Sequence, residues 1–260
     1  MNHRLFIISG KGGTGKTTLS LALSKLLLER GKKVQYTAFD HEVDYNALDE
    51  LGIPYFDTTV EKSCEKYIGL KLKSETIAKW IMKTPFFSAL FSILPSLGSM
   101  ILLGHYIKEL ENDPELVIIL DSPATGHAKS MIEATHNFKE IFKAGVLVHD
   151  IHRMHDFLHK KEHVKGFICS LPTEMSLQEA GELKSFMIQK NITDTSIILN
   201  NYIKVPSSNL SFINGKISSE TGIIDHFKKS FEVSQRIPKI FSHQTKHIVM
   251  SVKEILEKFI

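Results

Sequence analysis

The chain has 260 residues, of which 42% are hydrophobic and 23% are charged. These fractions are those of an ordinary globular protein, so the disordered, collagen-like and low-complexity classes are excluded. Lys and Arg number 32 and Asp and Glu number 29, and this net charge of +3 is too balanced to indicate a nucleic-acid partner; none is expected.

The cysteines and the first residues indicate a cellular compartment. Cys64 and Cys169 match neither a disulfide framework nor the spacing of a zinc or iron–sulfur site, and we interpret both as packing residues. The N-terminal residues lack the long apolar core and the cleavage site of a signal peptide. We therefore expect a cytoplasmic protein.

The first forty residues predict a strand–helix–strand unit. Residues 5–9 form an apolar run that ends at glycines, which is typical of a buried parallel strand. Residues 17–30 carry leucine and alanine at helical spacing, and Gly31 stands where a helix commonly ends. Residues 34–39 predict a second strand. Such an opening favours an α/β fold with a mainly parallel sheet flanked by helices.

A long helical interval separates this unit from the next strand. That strand covers residues 116–120 and ends at Asp121, which leaves residues 41–114 between the two strands. The interval is far longer than a crossover requires, and most of it has helical character. We interpret it as a helical lid inserted into a single domain of residues 1–260.

One part of this lid could be mistaken for a membrane span. Residues 84–104 contain no formally charged side chain and are long enough to cross a bilayer. They also contain Pro85, Pro95 and several serines. Two amphipathic helices broken near Pro95 are therefore favoured over a membrane-spanning helix.

Helices and strands alternate again after Asp121. We predict helices over residues 128–142, 144–163, 175–189 and 246–259, and strands over residues 164–170 and 196–199. The segment 144–163 contains a short apolar run that could be a strand, but its other apolar residues share one helical face. Residues 204–219 are rich in Ser, Asn, Gly and Pro and predict a loop.

One motif carries the strongest chemical signal in the sequence. Residues 10–17 read Gly-Lys-Gly-Gly-Thr-Gly-Lys-Thr and satisfy the whole P-loop pattern. The motif follows a predicted strand and opens a predicted helix, where backbone N–H groups and the helix N-terminus bind phosphates. We predict a site for ATP and Mg²⁺. Its residues are Gly10, Lys11, Gly12, Gly13, Thr14, Gly15, Lys16, Thr17 and Thr18.

Four residues have specific predicted roles at this site. Lys16 is expected to contact the β- and γ-phosphates, and the Thr17 hydroxyl is expected to bind Mg²⁺. Phosphate hydrolysis also needs a carboxylate at the Mg²⁺ ion and a group that positions water. Asp121 and Asp40 each end a predicted strand at the carboxyl edge of the sheet, so both are candidates.

Lys11 gives the loop a resemblance to a known group. A second lysine near the start of the loop is similar to the signature lysine of the deviant Walker A ATPases, which include ParA, MinD, the nitrogenase iron protein and ArsA-type ATPases. In that group the lysine contacts the nucleotide of a partner subunit. The resemblance implies a homodimer with nucleotide at the interface and a catalytic role for Lys11.

Three further segments resemble ArsA-type ATPases, the family of the arsenite pump ATPases and of the ATPases that target tail-anchored membrane proteins. Residues 121–127, Asp-Ser-Pro-Ala-Thr-Gly-His, resemble the family's switch II signature Asp-Thr-Ala-Pro-Thr-Gly-His. Residues 170–175 and Glu179 are similar to a strand-to-helix segment after the lid region. Residues 198–201 resemble the strand whose asparagine reads adenine, which makes Asn200 the adenine candidate.

The resemblance implies a Rossmann-like P-loop NTPase fold in which ATP hydrolysis changes a dimer. It assigns Asp40 to polarising the attacking water near Mg²⁺, and Asp121 to holding Mg²⁺ through its second shell. The chain departs from the family directly after Asp40, where His-Glu-Val replaces the usual Pro-Ala-His. A Cys-x-x-Cys zinc clamp and a three-thiolate metalloid set are both missing from the sequence. A homodimer without zinc is therefore expected, and arsenite pumping is disfavoured.

Two outputs remain open for such an ATPase. The first is a targeting ATPase whose lid residues 80–104 bind an apolar client, such as a membrane-protein segment; the alternative is that these residues pack the lid against the sheet. The second is a positioning or regulatory ATPase of the ParA/MinD kind, acting on a membrane surface or a partner protein. The terminal helix 246–259 invites comparison with the membrane-anchoring tail of MinD.

A row of histidines is the last unusual feature. Five of them fall at spacings of three or four and would share one stripe of a helix. They are His149, His152, His155, His159 and His163. Neighbouring pairs could chelate a transition metal, but a solvated polar face is the favoured interpretation.

Overall fold

The computed structural model describes residues 3–39, 43–93, 96–122, 124–141, 146–160, 162–192, 194–204 and 209–260. The strands are β1 (Leu5–Gly10), β2 (Lys33–Ala38), β3 (Leu116–Asp121), β4 (Val164–Ser170), β5 (Thr195–Tyr202) and β6 (Val233–Pro238). They form one sheet in the order β2-β3-β1-β4-β5-β6, and all neighbouring pairs are parallel. The predicted α/β, Rossmann-like fold is confirmed.

Helices connect these strands and cover the sheet. They are α1 (Lys16–Glu29), α2 (Tyr45–Leu51), α3 (Val60–Leu72), α4 (Glu75–Met82), α5 (Pro85–Ile93), α6 (Ser96–Asn112), α7 (Thr125–Ile141), α8 (Val146–His159), α9 (Glu174–Gln189), α10 (Ser211–Phe227) and α11 (Thr245–Leu256). The predicted helices at 17–30, 128–142, 144–163, 175–189 and 246–259 all have counterparts here, with ends that differ by a few residues.

The central strand β1 belongs to two hydrophobic cores, one on each face of the sheet. Leu5 and Ile7 pack in the core that α6, α7, α8 and α9 cover. Phe6 and Ile8 pack in the core that α1, α2 and α11 cover. Side chains alternate along a strand, so a strand buried on both faces must be apolar throughout, as β1 is. This burial fixes the strand from which the P-loop departs.

The interval predicted as a helical lid contains α2 to α6. Asp44, Thr59 and Ser74 begin α2, α3 and α4, and each side chain accepts a hydrogen bond from the backbone N–H three residues later. Pro85 opens α5, where its missing N–H costs nothing. These local signals explain why short helices form in this interval.

Helix α6 is part of the hydrophobic core. In the part of the chain that the structure describes, no single helix is long and apolar enough to cross a bilayer. Helices α5 and α6 together pass a test of length and composition, but they meet at 94°. Leu103, Tyr106 and Ile107 of α6 are fully buried against the sheet. Two helices therefore replace one span, as predicted; Pro95 itself lies outside the described residues.

The loop predicted over residues 204–219 is wrong from Ser211 onward; residues 205–208 lie outside the described residues. Helix α10 begins at Ser211 and continues to Phe227. Its inner face buries Ile224, and the Glu220 carboxylate accepts a hydrogen bond from the Ile203 backbone N–H at 2.9 Å. These contacts outweigh the low helix propensity of the Ser, Asn and Gly residues. The edge strand β6 that follows was not predicted from the sequence at all.

The histidines of the row lie in different environments in the structure. His155 and His159 stack with ring centroids 3.7 Å apart, and His149 projects into solvent. His163 lies beyond the end of α8 against the Phe157 ring. No group of three His, Cys, Asp or Glu side chains that could hold a metal ion occurs among the residues described.

The C-terminal helix α11 packs against α1. Val249, Val252 and Leu256 form its inner face and are buried in the core that α1 also lines. Lys253 of α11 forms an ion pair with Glu29 of α1 at 2.6 Å. The apolar face that invites comparison with a membrane anchor is thus occupied by the protein's own core.

Candidate nucleotide-binding site

The P-loop connects the end of β1 to the start of α1 in a conformation that requires glycine. Gly10 and Gly15 have φ angles of +141° and +93°, where L side chains are strained. A Cβ atom at Gly10 would lie 2.1 Å from the Cys169 carbonyl oxygen, and one at Gly15 would lie 2.2 Å from Nδ2 of Asn200. The loop therefore lies directly on the ends of β4 and β5.

The loop is closed by hydrogen bonds to the Lys11 carbonyl. This oxygen accepts from the Thr14 hydroxyl at 2.8 Å and from Nζ of Lys16 at 3.2 Å. Helix α1 has no acidic residue in its first turn, and its N-cap residue is Gly15, which has no side chain to cap the helix. Its first backbone N–H groups are thus left for an external acceptor, and the helix dipole favours an anion there.

Two side chains from neighbouring strands hold the P-loop by hydrogen bonds to the Thr14 carbonyl oxygen. This oxygen accepts from Sγ of Cys169 at 3.0 Å and from Nδ2 of Asn200 at 2.9 Å. Burial raises the pKa of the Cys169 thiol to about 12, so the thiol remains a donor at neutral pH. Cys169 is thus a support of the loop, which the sequence interpretation missed. The sequence offered only its place near the end of a predicted strand, and its position opposite Gly10 follows from the strand register of the structure.

Asn200, the predicted adenine reader, lies at the carboxyl end of β5 and is buried. In this structure its amide nitrogen is engaged by the P-loop carbonyl. A role toward adenine stays a prediction, and the contact to the loop gives the residue a structural function beside it.

Asp121 lies at the end of β3, beside β1, and is fully buried. Its Oδ2 atom accepts a hydrogen bond from the Tyr36 phenol at 2.9 Å. Burial, together with the Asp121 charge, raises the pKa of Tyr36, so the phenol is a neutral donor. The neighbouring Ser122 donates both its N–H and its hydroxyl to the Ile8 carbonyl at 2.9 Å, which fixes the end of β3 to β1.

Lys11 forms an ion pair with Glu179 of the same chain. Glu179 belongs to α9, and the turn before this helix is fixed by the Ser176 hydroxyl, which accepts from the Leu171 N–H at 3.0 Å. The expected contact of Lys11 with a partner subunit stays a prediction. In the single chain this lysine has an acidic neighbour that would have to release it.

The remaining predicted site residues divide into two groups. Thr17 and Thr18 lie in the first turn of α1, with the Thr17 side chain exposed. The Thr17 hydroxyl is an oxygen ligand of the kind that Mg²⁺ prefers, and the Asp121 carboxylate can accept a hydrogen bond from a water bound to that ion, so the residues present fit it. Asp40, predicted to orient water, lies outside the described residues.

The apolar lid residues 80–104 do not share one environment. Trp80 in α4 is 70% exposed, and Phe86 and Ile93 in α5 are each 74% exposed. Met100 and Leu103 in α6 are buried in the core. The packing interpretation therefore holds for α6, whereas α4 and α5 present large apolar side chains to solvent.

Comparisons with known proteins agree with this geometry. Residues 5–167 match the model of the CobQ/CobB/MinD/ParA nucleotide binding domain. The arsenical pump-driving ATPase of Escherichia coli is 22% identical over 237 residues, which cover 87% of this chain and 40% of that protein. The ATPase BagA of Mycobacterium tuberculosis (strain ATCC 25618 / H37Rv) is 23% identical over 227 residues, which cover 77% of this chain and 65% of that protein.

A third relative is the putative arsenical pump-driving ATPase 1 of Aquifex aeolicus. It is 27% identical over 177 residues, which cover 58% of this chain and 43% of that protein. The chain thus spans less than two thirds of the length of each of these relatives.

Proposed function

The chain belongs to the CobQ/CobB/MinD/ParA nucleotide-binding domain family, and on that premise we propose that it is a cytoplasmic, Mg²⁺-dependent ATPase of the ArsA type that acts as a homodimeric switch. The observation that carries the proposal is the closed P-loop over residues 10–17. Gly10, Gly13 and Gly15 hold positive φ angles, and the loop opens a helix whose N-cap residue is Gly15, which has no side chain to cap it. Relatives named as ATPases give further support.

The residues of the site have distinct roles in this proposal. The loop N–H groups and Lys16 bind the phosphates, and Thr17 and Asp121 hold Mg²⁺, which when bound neutralises charge on the transferred phosphoryl group. Asp40 orients the attacking water. Lys11 leaves Glu179 to reach the nucleotide of the partner subunit, so closure of the dimer and exchange of this ion pair are one event.

Loss of the P-loop lysine tests the proposal. Lys16→Ala should weaken ATP binding at least about 100-fold, because two charge-assisted contacts to phosphate are lost. Lys25→Ala is the matched control, since Lys25 lies on the same helix but donates to the Leu51 carbonyl. Isothermal titration with ATP in Mg²⁺ compares the two variants. Equal affinity of Lys16→Ala and the wild type would overturn the assignment.

We also propose that residues 41–114 form a lid that binds an apolar client, such as a membrane-protein segment. The support is the exposure of Trp80, Phe86 and Ile93 on the consecutive helices α4 and α5, because large apolar side chains at a surface can mark a site of interaction. An amphipathic or apolar helix is the partner that buries such residues. Contact with a membrane would then come through the client.

A pull-down with a hydrophobic helical peptide tests the lid. The ATP-bound protein should retain the peptide, and the double variant Trp80→Ser/Phe86→Ser should lose most of this retention. Phe241→Ser is the control, because Phe241 is also strongly exposed but follows β6 rather than the lid. Equal retention by all three proteins would remove the lid from the proposal.

The alternative of a ParA/MinD-like ATPase that anchors itself through α11 has less support. Such an anchor would have to withdraw Val249, Val252 and Leu256 from the core beside α1. Flotation with anionic liposomes in ATP distinguishes the two functions. Binding that depends on Val252 would favour the membrane-positioning function over the client-binding one.

A further inference from the structure

The Tyr36 phenol and the Asp121 carboxylate form a buried hydrogen bond at the edge of the sheet that carries the P-loop. We propose that Tyr36 is a positioning residue that holds the Asp121 carboxylate in the orientation required for Mg²⁺. The inference rests on the proposed function, in which Asp121 serves the ion. It assigns to β2 a part in the metal site.

The register of the sheet brings the two side chains together. In the β2–β3 pair, Tyr36 lies opposite Ile119, and Ala38 lies opposite Asp121. Tyr36 and Asp121 are thus two residues apart along the ladder and project from the same face of the sheet. Tyr36 is 2% exposed and Asp121 is 0% exposed, so water does not compete for the hydrogen bond.

The chemistry of the pair suits a carboxylate that has to meet a cation. A buried carboxylate without a donor is costly, and a lysine or arginine beside it would cancel the negative charge that attracts Mg²⁺. A phenol donates a hydrogen bond and adds no charge. Hydrogen bonds from residues behind a metal-binding group commonly fix its orientation, and their loss weakens metal binding roughly 10- to 100-fold.

The ring and the hydroxyl of Tyr36 have separable roles. The ring packs in the core beneath α1, with its centroid 6.3 Å from that of Tyr55. The hydroxyl donates the hydrogen bond to Asp121. Tyr36→Phe therefore keeps the packing and removes the hydrogen bond, so it tests positioning rather than core volume.

The adjacent residue of β2 supplies a matched control. The Thr37 hydroxyl lies 2.7 Å from the Tyr106 hydroxyl on the opposite face of the sheet, and Tyr106 is fully buried. Tyr106→Phe therefore deletes a buried phenol hydrogen bond of the same kind. The lost bond lies one residue along the same strand, and its two hydroxyls lie on the face of the sheet opposite to the Tyr36 side chain.

The experiment measures how nucleotide affinity depends on Mg²⁺. A fluorescent ATP analogue is titrated against wild type, Tyr36→Phe and Tyr106→Phe, first in EDTA and then at increasing Mg²⁺. In EDTA we expect Tyr36→Phe to bind the nucleotide as tightly as wild type does. The variant should need about tenfold more Mg²⁺ than wild type to reach half of the increase in nucleotide affinity that Mg²⁺ causes. Tyr106→Phe should match wild type in both. In an Asp121→Asn background, Tyr36→Phe should change nothing further, because the positioned group is gone.

The outcomes separate this inference from the proposed function. If Tyr36→Phe and Tyr106→Phe show the same Mg²⁺ requirement as wild type, the positioning role is overturned and the phenol serves stability alone. If both variants lose the same factor of nucleotide affinity, and this factor is the same in EDTA and in Mg²⁺, the positioning role is likewise overturned. If wild type itself shows no gain of affinity with Mg²⁺, the proposed function fails, and this inference fails with it.

Discussion

Lys11 and Glu179 form an ion pair within one chain, although 168 positions separate them in the sequence. Their side chains are 38% and 34% exposed, so solvent screens the pair, and such pairs contribute about 0–1 kcal/mol to stability. The contact is therefore weak enough for a phosphate group to replace. It holds the lysine beside its own loop until a stronger anion competes.

Removing the acidic partner should release Lys11. In the isosteric Glu179→Gln variant we expect the ATP-dependent dimer to form at up to about thirtyfold lower protein concentration, because the two subunits no longer have to break one ion pair each, worth up to about 1 kcal/mol per pair. Sedimentation velocity with ATP and with ADP measures the shift. The thermal midpoint should hardly change.

Lys11→Ala is the companion variant in that experiment. It should remain monomeric in ATP, since the side chain that reaches the partner is missing. A Glu179→Gln protein that dimerises less well than wild type would show that the ion pair supports the dimer rather than delaying it.

Asn200 allows a test of loop support against adenine recognition. In Asn200→Asp the side chain no longer donates to the Thr14 carbonyl and places two acceptors side by side. If support of the loop dominates, affinity for ATP and for GTP should fall by a similar factor, about tenfold. Titration with both nucleotides measures this ratio. A variant that loses only the preference for ATP would instead establish adenine reading as the main role.

Gly10 and Gly12 should respond differently to an added methyl group. Gly10→Ala places a Cβ atom 2.1 Å from the Cys169 carbonyl oxygen and imposes a strained φ angle, whereas a Cβ atom at Gly12 meets nothing within 4 Å. We expect Gly10→Ala to lower stability by about 2–4 kcal/mol. Gly12→Ala should stay within about 1 kcal/mol of wild type. Urea unfolding of both variants is the measurement, and equal midpoints would contradict the P-loop geometry.

His105 should make the lid sensitive to acid. Burial, followed by the nearby Lys66 charge, lowers its pKa below the ordinary value of 6.5, and Lys66 donates to Nε2 at 2.9 Å. The unfolded chain therefore binds the proton first as the pH falls below about 6.5, and the stability that neutral His105 provides is lost in that direction. Thermal melts at pH 7.5 and pH 5.5 should differ less for His105→Gln than for wild type.

His3 and His163 add to this slope, because burial lowers their pKa values as well. Some acid sensitivity should therefore persist in His105→Gln. A variant with the same drop in melting temperature as wild type would show that His105 does not contribute.

The order of most elements followed from local patterns in the sequence. The runs at β1, β3 and β4 are apolar because these strands are buried on both faces, and this made them easy to recognise. The edge strand β6 is largely exposed, so its sequence carries little apolar signal. Helix α10 has weak local propensity and depends on its tertiary contacts, which no local pattern shows.

The site residues that form a contiguous motif could be predicted from the sequence. Those that are brought together by the register of the strands could not. The P-loop residues stand together in the chain, so residues 10–17 indicated the phosphate site directly. The supports Cys169 and Tyr36 come from separate strands, and only the parallel pairing brings them to the loop and to Asp121. The ion pair between Lys11 and Glu179 likewise needs the position of α9.

The packing of α11 on α1 determines when the hydrophobic core around α1 can be completed during synthesis. Helix α1 carries the start of the phosphate site, yet the core around it stays open until the ribosome has released Val249, Val252 and Leu256. A nascent chain that lacks them exposes the leucines of α1, a surface that chaperones bind. The hydrophobic core beneath α1 is therefore completed only after translation has passed Leu256.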